Sequence, residues 1–300
     1  MVAHAVLVLF LVATVAFFIL NVLPGDPAAV VAGIDADRAT VERVRVSLGL
    51  DRPVAVRYAV WIGDLTRGHL GTSWTQREAV EELLRQRMTV TLRLAGLGLI
   101  LSILIGMTMA FLSFLGRFGH GMIRFLEYFF FAFPQFWFAL LLLYVFSFQL
   151  GWFPMVGMHG RTPFLLPALA LALGNGAIIS RTARASLREV LRGRHVLAAR
   201  SLGIPEPRIV LFHVLPLAIV PVVSVAAIQA GYLLAGAIVV EQIFSLPGLG
   251  RLTLTAILQR DVPVIQGAIV VFGLAFPLLN ALADLVVGFV QPQLRYGRNR

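Results

Sequence analysis

Six apolar segments constrain the fold of this chain more than any other feature of its sequence. A helix needs roughly 20 predominantly apolar residues to cross the hydrocarbon core of a bilayer. Segments of about this length, with few ionisable side chains, fall at residues 1–23, 92–116, 125–150, 164–181, 214–240 and 262–290. Since 59% of the residues are hydrophobic and only 13% are charged, an ordinary soluble domain is excluded. We expect an all-α, polytopic membrane protein with six transmembrane helices.

The basic residues indicate how these helices are oriented. Seven arginines lie in the loop at residues 181–213 and three more lie in the C-terminal tail. Short cytoplasmic loops are enriched in basic residues, so this loop and both termini are expected in the cytoplasm. The net charge of +10 then reflects topology, and no nucleic-acid partner is expected.

Missing residue types exclude several kinds of chemistry. The chain contains no Lys and no Cys, whereas a nucleotide-binding P-loop needs a Lys and a thiolate metal site needs Cys. The six histidines show none of the spacings of a metal site, and no local signature indicates a hydrolase triad. We expect no metal site and no catalytic residues. If the protein uses ATP, another subunit must hydrolyse it.

Residues 24–90 differ in composition from the rest of the chain, because charged residues of both signs alternate there with apolar ones. The pattern predicts short amphipathic helices outside the membrane, on the extracytoplasmic side. The sequence "TQRE" at residues 75–78 has the spacing of a capping box and predicts a helix start at that point. Residues 91–300 then form the transmembrane domain.

The loop at residues 181–213 contains the most informative motif. It includes good helix formers up to Gly193, and Gly203 suits the left-handed position that ends a helix. Pro205 and Pro207 prevent that helix from continuing. We expect short helices along the cytoplasmic surface, joined by a tight turn that presents Ala198 and Ala199. From the residues alone, the turn is either a docking surface for another protein or a basic, lipid-facing loop.

This loop resembles the "EAA" coupling loop of ATP-binding-cassette importer permeases. The Ala-Ala-Arg sequence at residues 198–200 is similar to the Thr-Ala-Arg that peptide importers often carry. Gly203 follows this triplet. After nine further residues the pattern ends at residues 213–216, of which the last two are the Leu-Pro of the family pattern. The resemblance implies that the loop contacts an ATPase through His195, Ala198, Ala199, Arg200, Gly203, His213, Leu215 and Pro216.

Further motifs extend the resemblance over nearly the whole chain. In order, they are "LPGDP" (23–27), "LGLDRP" (48–53), "GHLGTS" (68–73), "FPQFW" (133–137), "LGWFP" (150–154), "EQIFSLPGLGR" (241–251) and "RDVPVIQG" (260–267). Together they resemble the first permease of dipeptide, oligopeptide and nickel importers. The resemblance implies a multi-pass inner-membrane permease without enzymatic activity.

The resemblance also implies an assembly. A second homologous permease would complete the pathway as a heterodimer, two ATPase subunits would use ATP and Mg²⁺, and an extracytoplasmic binding lipoprotein would deliver substrate. No cofactor would bind directly to this chain. Peptides are the expected substrate, with nickel or a metal chelate as the alternative. A stand-alone secondary transporter is the alternative from another class.

Four residues are candidates for the pathway or for helix packing. Pro134 lies within the third apolar segment, where a proline kinks a helix and frees a carbonyl, and Gln135 follows it. Asn175 and Gln229 lie within the fourth and fifth segments. Each residue either lines the pathway or serves packing. Glu241 and Asp284 are expected to reach water from the ends of their helices.

Overall fold

The fold consists of helices joined by short connections. The computed structural model describes residues 2–22, 25–33, 35–114, 116–154, 157–158 and 162–290. The helices are α1 (Val2–Val22), α2 (Pro27–Ala32), α3 (Arg38–Ser47), α4 (Val54–Thr66), α5 (Val80–Leu112), α6 (Gly116–Ala132), α7 (Gln135–Leu142), α8 (Leu165–Leu191), α9 (Arg194–Ser201), α10 (Glu206–Ile209), α11 (Leu215–Ile243), α12 (Leu249–Leu258) and α13 (Val262–Val290). Two π-helical segments, Leu143–Gln149 and Val210–Val214, follow α7 and α10.

Several of these helices are long and apolar enough to cross a membrane. Among the described residues, four segments meet this condition, namely Val80–Leu112, Leu165–Leu191, Glu206–Ile243 and Val262–Leu279. A fifth would be the pair Gly119–Ala132 and Gln135–Gln149, which is bent by 100°. In α1 the apolar stretch Leu7–Phe18 is shorter. The all-α membrane fold is confirmed, and the count of six spans stays a prediction.

Two helices extend beyond the apolar segments that hydropathy indicates. Helix α5 begins at Val80, well before residue 92, and α8 runs to Leu191, ten residues beyond residue 181. Both extensions contain charged residues that are good helix formers, such as Glu82 and Arg188. Hydropathy therefore marks the part of a helix that suits lipid, whereas the helix itself continues into water.

The first of two structural units comprises residues 1–91 and 247–277. Its apolar core joins the start of α5 to α12 and α13 through Val80, Leu84, Leu249 and Val264. At the start of α12 the Leu249 backbone N–H donates to Thr91 Oγ1 at 2.8 Å, which satisfies one of the free donors of a helix N-terminus.

A buried carboxylate organises the loop before α5 in this unit. Asp261 is 0% exposed. It accepts hydrogen bonds from the Ser73 hydroxyl (2.5 Å), the Trp74 backbone N–H (3.1 Å), and both the N–H (3.1 Å) and the hydroxyl (2.7 Å) of Thr75. The predicted capping box is therefore wrong. The Thr75 hydroxyl binds Asp261, and α5 begins at Val80.

The second unit comprises residues 92–246 and 278–300. Within it, small residues allow α5 and α8 to approach closely. A methyl group at Gly106 would lie 2.7 Å from Ile179 Cγ2 and 2.8 Å from the Gly176 carbonyl oxygen. Glycine at such crossings is typical of transmembrane helix packing.

Candidate functional site

The candidate site begins where α8 ends and the chain turns into α9. Gly193 precedes the first residue of α9 and donates its N–H to the Val190 carbonyl at 2.9 Å. A side chain at this position would collide with the His195 ring, because its Cβ would lie 2.5 Å from His195 Cε1. The break predicted at Gly193 is therefore confirmed, and His195 lies exposed over the turn.

Helix α9 ends in the turn that Gly203 was expected to provide. Gly203 has φ +74°, and its N–H donates to the Arg200 carbonyl at 2.9 Å. The Ile204 N–H donates to the Ala199 carbonyl at 3.2 Å. These two bonds define a Schellman motif, in which glycine takes the left-handed position at no steric cost. Pro205 is the N-cap residue of a new short helix, α10.

One face of α9 is packed against the body of the second unit. Val196 is 0% exposed and Ala199 is 4% exposed. They join a cluster that includes Ala183, Leu187, Ile209, Val214 and Ala218. Burial of a valine side chain contributes about 1.5–3 kcal/mol, so this face holds α9 in a defined place. Ala199 was expected on the docking surface. That expectation is wrong, because the three-residue spacing from Val196 turns Ala199 inward.

Apolar side chains are exposed on the outer side of α9 and in the turn that follows it. Ala198 is exposed, Leu197 is 55% exposed and Leu202 is 80% exposed. A methyl group added at Gly203 would meet nothing within 4 Å, so the turn is open to close approach. Sequence reasoning missed Leu197 and Leu202. Helical periodicity from Val196 and Ala199 could have placed Leu197 on the outer side, whereas Leu202 follows the last residue of α9, so that periodicity does not give its exposure.

A charged pair closes the turn from outside. Arg200 Nε donates to Glu206 Oε1 at 2.6 Å, and Arg200 Nη2 donates to Glu206 Oε2 at 3.3 Å. The hydrogen bond and the negative charge of Glu206 raise the pKa of the Arg200 guanidinium. This two-point contact fixes the start of α10 relative to α9, so Arg200 serves the shape of the turn.

The remaining predicted residues of the loop follow α10. His213 lies half-buried in the π-helical segment, and its Nδ1 is buried without a hydrogen-bond partner among the described residues. Leu215 is half-buried and Pro216 is exposed at the second position of α11. The end of the family pattern thus lies at the entrance to a long helix rather than on α9.

Pro134 breaks the third apolar segment. It precedes α7 with φ −62° and ψ 146°, and the helices on either side are bent by 100°. Gln135, which follows, rests on α11, because a Cβ at Gly236 would collide with Gln135 Oε1. The predicted kink at Pro134 is confirmed in a stronger form, as an interruption of the helix.

Asn175 and Gln229 are brought together. Gln229 Nε2 donates to Asn175 Oδ1 at 2.6 Å, and Asn175 Nδ2 donates to the Leu171 carbonyl at 2.7 Å. Both side chains are buried and join α8 to α11. Gln229 and Gly236, where Gln135 rests, are seven residues apart on one face of α11, about 10 Å along its axis.

Two carboxylates that lie near the ends of apolar segments are buried, and one of them corrects an expectation from the sequence. Glu127 is 2% exposed and receives hydrogen bonds from Ser180 and Arg184, at 2.7 Å and 2.5 Å. Glu241 was expected to reach water, but it is 0% exposed. Residues of α8 thus bind Glu127 although it lies near the end of an apolar segment. The side chain of Asp284 lies outside the described residues.

These features define a polytopic helical transport component, and comparison with known proteins places it in a family. Residues 102–296 match the binding-protein-dependent transport system inner membrane component, and residues 1–95 match its N-terminal counterpart. The chain belongs to this family. It is an importer permease subunit of the ATP-binding-cassette class and not an enzyme. This membership excludes the alternative of a stand-alone secondary transporter.

Full-length relatives carry transport names. The glutathione transport system permease protein GsiC of Escherichia coli is 36% identical over 290 residues, covering 96% of this chain and 95% of the relative. A putative peptide transport system permease protein of Brucella abortus is 37% identical over 309 residues, covering 98% and 97%. Family membership implies ATPase and substrate-binding partners and a multi-pass location in the inner membrane.

Solved structures share the fold. The methionine transporter MetNI in an inward-facing conformation aligns with a TM-score of 0.60 and 19% identity over 70% of this chain and 96% of that chain. An amino acid ABC transporter crystallised with histidines aligns with a TM-score of 0.56 and 20% identity over 69% and 93%. At this level of identity the comparison concerns the fold alone.

Proposed function

We propose that this chain forms half of the translocation pathway of an ATP-driven importer of short peptides. The pathway is completed by a second, different permease, and two ATPase subunits hydrolyse ATP with Mg²⁺ in the cytoplasm. An extracytoplasmic lipoprotein delivers the substrate, and no cofactor binds to this chain itself. The names of relatives that match over nearly their full length support peptides as the substrate class.

Coupling to the ATPase occurs through α9 and its turn. The observation that carries this role is the two-sided packing of α9, with Val196 and Ala199 buried beneath and Leu202 80% exposed above. Because one face of α9 is packed firmly, a displacement applied to its exposed face is transmitted to the helices beneath it. A leucine as exposed as Leu202 gains stability when a partner surface covers it.

Transport is tested with the purified four-subunit complex and its binding protein in proteoliposomes. We expect uptake of labelled glutathione or of the dipeptide Ala-Phe only with enclosed ATP and Mg²⁺. Uptake without ATP would contradict the proposal. Uptake of ⁶³Ni²⁺ with no peptide uptake would replace the substrate class and leave the ATP-driven mechanism in place.

The orientation is tested by labelling, because the chain contains no cysteine. Both Arg38 and Arg192 are exposed, so R38C and R192C form a matched pair. With α9 and both termini in the cytoplasm, an impermeant maleimide added outside intact cells or spheroplasts labels R38C alone. Labelling of R192C from outside would reverse the topology.

A further inference from the structure

An open cavity of about 740 Å³ lies within the first unit. Its lining residues belong to α1–α4 and the connections between them, the loop before α5, and the start of α13. Ligand pockets in proteins are typically roughly 300–1,000 Å³. The cavity therefore has the size of a small-molecule site, in a region to which neither the coupling loop nor the candidate pathway residues belong.

The lining combines a cationic part with an apolar wall. The lining residues include Arg52, Arg57 and Arg77, which carry guanidinium groups, and the apolar residues Phe17 and Val60. Arg45 also lines the cavity, but its guanidinium is bonded to Asp26 at 2.6 Å. Guanidinium groups bind carboxylates with paired, charge-assisted hydrogen bonds, so this lining suits an anionic group attached to an apolar body.

A carboxylate is also available for a positive group. Asp64 lines the cavity, and its ionic contact with the exposed Arg67 is 3.8 Å long. An ion pair of that length between exposed side chains is weak. The cavity thus offers partners for both ends of a zwitterion.

Two further observations indicate a site built for a ligand. The Trp61 indole Nε1 is buried without a hydrogen-bond partner among the described residues, and Trp61 lines the cavity. Buried donors are normally satisfied. Arg77 has φ +60°, and a non-glycine residue in this left-handed region stores strain that is concentrated at functional sites.

We propose that the cavity formed by α1–α4, the loop before α5 and the start of α13 binds a short zwitterionic peptide through its C-terminal carboxylate. Arg52 and Arg77 bind the carboxylate, Asp64 faces the amino terminus, and the apolar wall accepts side chains. This inference rests on the proposed function, since it makes the cavity a stopping point for the transported peptide. It places a substrate site on residues of the first unit, away in sequence from the coupling loop and the four candidate pathway residues.

The test uses the assembled transporter without its binding protein and without ATP. Equilibrium dialysis measures binding of radiolabelled Ala-Phe to wild type and to Arg52→Gln, Arg77→Gln and the double variant. Loss of a charged hydrogen bond raises the dissociation constant about tenfold, so we expect about tenfold weaker binding for each single variant. Arg38→Gln is the matched control, because Arg38 is exposed in the same segment and does not line the cavity.

Changes to the probe separate peptide binding from simple anion binding. Ala-Phe amide, which lacks the carboxylate, should compete at least tenfold more weakly than Ala-Phe. Inorganic phosphate at the same concentration should not compete. Equal competition by phosphate or by the amide would overturn the assignment. If Arg77→Gln fails to assemble, Arg52→Gln and the amide decide the outcome.

The inference and the proposed function fail in different ways. Wild-type and variant complexes that bind Ala-Phe equally, or a wild type that does not bind it, would overturn the cavity assignment while ATP-driven uptake continues. Absence of ATP-driven uptake by the wild type with its binding protein would overturn the proposed function itself.

Discussion

The turn after α9 and the loop before α5 are both short connections beside helices, but they satisfy their polar groups in opposite ways. In the loop before α5, four donors from Ser73, Trp74 and Thr75 converge on Asp261, which is 0% exposed. The turn after α9 closes with backbone bonds and one surface ion pair, and leaves Leu202 80% exposed. The first connection is built for stability, whereas the second leaves its outer surface exposed, as the proposed docking role requires.

The largest expected effect on stability is that of Asp261→Ala. Removal of the carboxylate leaves buried donors without an acceptor, and each such donor costs about 1–3 kcal/mol. We expect a loss of about 3–5 kcal/mol in the free energy of unfolding, measured as a lower unfolding midpoint in detergent. Asp261→Asn keeps the shape and one acceptor oxygen and should be intermediate. An alanine variant as stable as wild type would show that Asp261 does not hold this loop.

The two adjacent alanines of α9 should separate stability from transport. Ala199→Glu buries a carboxylate in the packed cluster and should lower stability by about 2–4 kcal/mol. Ala198→Glu places the same charge on the exposed face, so stability should change by less than about 0.5 kcal/mol while ATP-driven uptake is lost. The unfolding midpoint and proteoliposome uptake are measured for both variants. Equal behaviour would contradict the two-sided description of α9.

A smaller effect is expected for Gly203→Ala. At φ +74° a Cβ costs about 1–2 kcal/mol, although it would meet no neighbouring atom. Asparagine tolerates this conformation better, so Gly203→Asn should retain more stability than alanine. We expect the unfolding midpoint to decrease in the order glycine, asparagine, alanine. An alanine variant more stable than asparagine would contradict the backbone explanation.

Local features were predictable from the sequence, and long-range contacts were not. Gly193 and Gly203 end helices as predicted, because backbone conformation depends on the residue and its neighbours. The inward position of Ala199 requires knowing which face of α9 packs. The roles of Asp261 and Glu127 depend on donors more than 50 residues away in the chain, which no local pattern specifies. Hydropathy identified the apolar segments. It did not indicate that the helix would be interrupted at Pro134 with a bend of 100°.

Position-specific photocrosslinking tests most directly whether the exposed face of α9 docks on the ATPase. The cysteine-free chain allows L202C and L258C to be labelled with a benzophenone maleimide in the assembled transporter. Leu258 is a matched leucine, 75% exposed at the end of α12. We predict that irradiated L202C becomes linked to an ATPase subunit and L258C does not. A fully labelled L202C complex with no ATPase adduct, in a preparation where the ATPase co-purifies, would contradict the docking role.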